Sequence, residues 1–148
     1  MKPLADSDLF LLWEGGMRRH PLDRALLALG AAMPETPYER LADWPLGRRN
    51  RALAELLSRS FGNYLQGWIA CASCGERLEF ELDSRVIVDA GREADESAHG
   101  DAGATIIVNQ QAFRLPTSRD LALAVQWYQK AAQYGSLDAQ QRLSQMQN

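Results

Sequence analysis

The sequence predicts an α+β fold: an N-terminal helical layer, a small antiparallel sheet carrying a Cys-x-x-Cys knuckle, and a C-terminal helical hairpin. Three observations predict it. Apolar residues recur at helical spacing over residues 1–62, give way to alternation over 63–116, and return to helical spacing over 117–148. A chain of 148 residues has the length of one domain rather than two, so 1–148 is expected to fold as a unit.

Each element has its own signal. Ser7 is placed to cap a short helix through Trp13 and Glu14, which the Gly15-Gly16 pair is expected to stop. Pro21 suits a first helical turn, and Leu22, Ala25, Leu26 and Leu29 share a face until Gly30 and Pro34. Thr36-Pro37 opens a short helix through Tyr38, Leu41 and Trp44. After Pro45, a longer helix is expected from about Leu46 to Phe61, with Leu53, Leu56, Leu57 and Phe61 on one face and the arginines mainly on the other.

Residues 64–70 and 77–82 read as strands, the second alternating apolar with acidic side chains, with Cys71-Ala72-Ser73-Cys74-Gly75 as their turn. Arg85-Val86-Ile87-Val88 reads as a third strand, and Ala90 to Gly103 as a mobile acidic loop. A hairpin around Asn109-Gln110 joins 104–108 to 112–115. Thr117 or Ser118 then caps a helix ending at Gly135, and a last helix runs from Leu137 to about Met146.

Composition narrows the function. Hydrophobic residues make up 46% and charged residues 24%, which is the balance of a globular chain rather than a disordered one. A net charge of −3 supplies no general attraction for phosphate backbones, so nucleic acid is not an expected partner. No apolar run reaches the roughly 18 residues that suggest a membrane span, and the acidic start lacks the form of an export signal. A cytoplasmic protein with no membrane partner is expected. Two cysteines three positions apart agree with a reducing compartment.

Cys71 and Cys74 form the one pre-spaced reactive group. Two thiolates a turn apart, backed by the backbone freedom of Gly75, have the form of a zinc knuckle, but a structural zinc takes four ligands and no further cysteine follows. The missing ligands could come from His99 with Glu96 or Asp101, or from the same knuckle of a second subunit in a homodimer. A metal-free strand turn is the remaining alternative. A thioredoxin-like redox role needs a helix after the pair, where this sequence places a strand.

Other residues carry weaker signals. His20 reads as a helix-entrance cap rather than a catalytic base, no phosphate loop is present, and Glu79 and Glu81 read as a solvent face. Trp13, Trp44, Trp68 and Trp127 sit at apolar-periodic positions and are expected mainly in the core. Trp68, beside the knuckle, is also a candidate partner anchor, because large aromatics dominate interface energetics.

Several blocks carry a resemblance: Leu12-Trp13-Glu14-Gly15-Gly16, His20-Pro21-Leu22-Asp23-Arg24-Ala25-Leu26-Leu27, Pro45-Leu46-Gly47-Arg48-Arg49-Asn50, Phe61-Gly62, Cys71 through Phe80, and Phe113 through Leu121. Together, over residues 8–122, the chain resembles a family of small baseplate assembly proteins of contractile phage tails and phage-tail-like injection systems. The resemblance implies a non-enzymatic assembly chaperone or minor baseplate component, with baseplate or tail structural proteins as partners. Ala72 departs from the proline usual within the knuckle. The stretch from Ala124 to Gln140 is similar to one Sel-type, tetratricopeptide-like repeat, which makes Trp127 and Tyr128 candidate docking residues on a helical hairpin. A zinc-knuckle adaptor unrelated to tails is the alternative expectation.

Overall fold

The computed structural model describes residues 1–97 and 105–147. Among these residues, seven helices and two separate two-stranded antiparallel sheets give the expected α+β class.

Four helices build the N-terminal layer: α1 (Asp6–Gly16), α2 (Pro21–Ala32), α3 (Tyr38–Ala42) and α4 (Leu46–Phe61). The expected cap of α1 fails. The helix starts before Ser7, where the Asp8 carboxylate accepts the Ala5 N–H at 3.0 Å, so an acid in the first turn does the capping. The helix ends at the Gly15-Gly16 pair, as expected, with both glycines in its last turn and facing α2. A Cβ on Gly15 would stand 3.3 Å from Leu27 Cδ2, so the glycines here serve close helix packing.

Pro21 opens α2, and His20 caps it by accepting the Leu22 N–H on Nδ1 at 3.3 Å. Leu26, Leu29, Leu41, Ala42, Trp44 and Ala52 pack into one cluster, with Met33 and Leu53 against it. Leu29 and Leu41 have no exposed surface, so truncating either to alanine is expected to cost about 2–5 kcal/mol. The chain start is tied down by the Lys2 N–H on Ala32 O at 2.9 Å and the Leu4 N–H on Ser60 Oγ at 3.0 Å.

The bounds of α4 match the sequence reading, but the buried face differs. Arg49, Ala52 and Leu56 are buried, whereas Leu57 and Phe61 are exposed. A guanidinium can occupy this interior because hydrogen bonds meet it: Arg49 Nη1 donates to Ser118 Oγ at 3.0 Å, and Nε and Nη2 donate to Asn50 Oδ1.

After Gly62, at φ +96°, the chain enters the β1 (Tyr64–Ala70) and β2 (Arg77–Asp83) hairpin. Its register pairs Tyr64 with Asp83, Gly67 with Phe80 and Ala70 with Arg77. The expected third strand at Arg85–Val88 is instead the first turn of α5 (Ser84–Ser97), which packs on α4. Asp83 accepts the Arg85 N–H at 3.0 Å and starts the helix, placing buried Ser84 and half-buried Val88 one turn apart. Packing of that face overrides the strand preference of the β-branched run. The acidic stretch is therefore helical as far as Ser97, and His99 and Asp101 lie outside the described residues.

The second hairpin, β3 (Thr105–Val108) and β4 (Gln111–Arg114), turns through Asn109 and Gln110 at φ +50° and +66°. Positive φ at both central residues is the mirror-image turn that matches strand twist. The two hairpins do not join into one sheet.

Thr117 caps α6 (Ser118–Gln133) in a reciprocal box with Asp120, and Gly135 at φ +89° turns the chain into α7 (Leu137–Gln147). Ala139 is buried where α7 meets α6. A corner joins this helical hairpin to the N-terminal layer. Pro45 bridges to Thr117, the Leu46 N–H donates to Pro116 O at 2.9 Å, and Arg119 pairs with Asp43.

Candidate functional site

The antiparallel ladder continues one step past β1 and β2, because the Cys71 N–H donates to Glu76 O at 2.8 Å. The Gly75 N–H then donates back to Cys71 O at 2.8 Å, with Gly75 at φ +74°, a conformation that favours glycine. This tight turn aims backbone N–H groups at one sulfur. The backbone N–H of Cys74, then that of Ser73, and then the Cys74 thiol hold the Cys71 thiol below its ordinary pKa. Both cysteines are free, with Cys74 exposed and Cys71 partly so.

The register sorts the β1–β2 hairpin into two unlike faces, since paired residues share a face and successive residues alternate. One face holds Tyr64, Gln66, Trp68, Arg77, Glu79, Glu81 and Asp83. There the Arg77 guanidinium lies 5.3 Å from the Trp68 ring centroid and 3.2 Å from Glu79 Oε1, beside an open groove of about 360 Å³. The opposite face holds Leu65, Ile69, Leu78, Phe80 and Leu82 around Gly67 and ends at the tip in Cys71 and its ladder partner Glu76, the one charged residue on that side. Phe80 lies directly over Gly67, where an added Cβ would sit 2.5 Å from Phe80 Cζ. Ile69, Leu78 and Phe80 are nonetheless exposed.

Only Trp44 of the four tryptophans joins the core. Trp13, Trp68 and Trp127 are 70%, 61% and 67% exposed. On α6, Leu123 and Trp127 stand one turn apart and Tyr134 follows two turns on, all exposed, with Lys130 over the Trp127 ring. Tyr128 is half-buried beside them. Periodicity finds such residues, but it does not say which apolar stripe the chain itself covers.

The described residues contain no cluster of three or more His, Cys, Asp or Glu side chains arranged to hold a metal ion. Cys71 and Cys74 are thus a pair of donors without a third among those residues. The sequence-predicted site residues lie on different elements: the knuckle is at the tip of the β1–β2 hairpin, and Trp127 and Tyr128 are on α6. None of the described helices is long and apolar enough to cross a membrane. Comparison with known proteins gives no match to a family model, a characterised protein or a solved structure.

Proposed function

We propose that this chain is a non-enzymatic interaction protein whose exposed apolar faces are covered by other proteins. Within that class, it acts as an assembly factor or minor component of a contractile phage-tail-like baseplate. The observation that carries the class is the set of exposed apolar side chains outside the compact core: Leu123, Trp127 and Tyr134 on α6 and beside its end, Leu137 on α7, and Ile69, Leu78 and Phe80 on the first hairpin. Contiguous exposed apolar surface of this kind marks interaction sites, and exposed tryptophan and tyrosine are the residues that anchor them. The ordered sequence blocks over residues 8–122 support the narrower baseplate reading.

Affinity isolation from the native host during particle assembly, followed by mass spectrometry, tests this function. Sheath, tube or baseplate proteins are expected to copurify, and Leu123→Ser with Trp127→Ser should reduce their recovery. Recovery of no tail or injection-system component while particles assemble would refute the baseplate reading. The backbone N–H groups at Cys71 favour one second reading, a zinc-knuckle adaptor unrelated to tails. That reading requires zinc-dependent recovery of a partner outside the particle.

A further inference from the structure

We propose that Cys71 and Cys74 are half of a tetrathiolate zinc site, completed by the same two cysteines of a second copy as two β1–β2 hairpins pack through their apolar faces. The geometry of the hairpin leads to this arrangement. Because the ladder extends through the Cys71–Glu76 bond, Cys71 falls in alternation with Leu65, Gly67 and Ile69. Its side chain therefore ends the same face that carries Leu78, Phe80 and Leu82. The metal-binding atom and the uncovered apolar surface are one continuous patch.

Three features select a second copy as the occupant. Over Leu65, Ile69, Leu78, Phe80 and Leu82 the face carries no charge, since Arg77, Glu79, Glu81 and Asp83 all project from the other side; its one carboxylate, Glu76 opposite Cys71, lies at the exposed tip, so the apolar parts of two identical faces meet without like charges. An isolated two-stranded hairpin is marginal in water, and a partner hairpin would supply the missing packing layer. Finally, a two-fold axis repeats every contact, so two donors from one copy become four at the axis, the number that a structural zinc takes. Each thiol binds as its thiolate, releasing its proton to solvent.

The test uses reduced, tag-free full-length protein titrated with zinc, with metal content and native mass measured together. One zinc per two chains and a dimer that chelation returns to monomer are expected. Cobalt(II) in place of zinc should give the visible spectrum of four thiolate ligands. Cys71→Ser with Cys74→Ser should abolish both metal and dimer. Ile69→Glu with Leu78→Glu keeps the ligands and should weaken the dimer at least tenfold, while circular dichroism checks that the helices persist. Chelation of the wild-type chain needs no variant, so a misfolded mutant cannot decide the result. One zinc per monomer lost in His99→Ala, no retained zinc, or a dimer indifferent to chelator would each overturn the proposal.

Discussion

Replacing Ser118 by alanine probes the joint between the helical layer and the C-terminal hairpin. Ser118 and Arg49 are 3% and 8% exposed, and the Arg49 Nη1 to Ser118 Oγ distance is 3.0 Å. A hydrogen bond to a charged group contributes about 1.5–3 kcal/mol, and Ser118→Ala leaves the buried guanidinium short of an acceptor, so a loss near 2 kcal/mol is expected. Arg49→Met keeps much of the aliphatic volume but leaves neutral acceptors at Ser118 and Asn50 without their donor. Once Arg49 is absent, the Ser118 hydroxyl has little left to satisfy, and its removal should cost below about 0.5 kcal/mol. The double-mutant cycle therefore predicts a coupling of about 1.5–2 kcal/mol. Urea denaturation reads it, since a 2 kcal/mol loss moves the midpoint by roughly 1 M. Single effects that add to within about 0.5 kcal/mol would refute the reasoning.

Other perturbations test separate parts of the structure. The Arg114 side chain, followed by the Thr117 backbone N–H and hydroxyl, lowers the Asp120 pKa from 3.8 to about 2. The stability it contributes is present above its unfolded pKa and lost as pH falls from about 4 toward 2. Asp120→Asn should flatten that part of the acid-unfolding curve, with a cost of about 1 kcal/mol at neutral pH. Gly67→Ala must displace the Phe80 ring, whose outer end is free to move, so a loss of about 1 kcal/mol and roughly fivefold faster amide exchange in the β1–β2 ladder are expected. Cys71 should alkylate faster near neutral pH in the folded, metal-free chain than in urea, as mass mapping would show; equal rates would remove the role given to the turn's N–H groups.

How much of this could be read in advance varies by element. Pro45 and Gly62 bracket α4, and strict alternation marks β2, so local signals and tertiary structure agree there. They disagree at α5, where Val86, Ile87 and Val88 suggest a strand but Asp83 caps a helix. The Asp83-Ser84 pair was the available clue. The burial of Arg49 depends on Ser118, far away in sequence, and no window around α4 contains that information. Cys71 and Cys74 were legible from spacing, whereas the continuity of Cys71 with the apolar face required the register. The exposure of Trp127 likewise depends on which side of α6 the chain covers for itself.

The most direct test of the assembly role is electron microscopy of contractile particles from a host lacking this chain. Tubes or sheaths without a complete baseplate are expected, with intact particles restored by the wild-type protein but poorly by Leu123→Ser with Trp127→Ser. Intact particles at normal abundance in the absence of the chain would contradict the account.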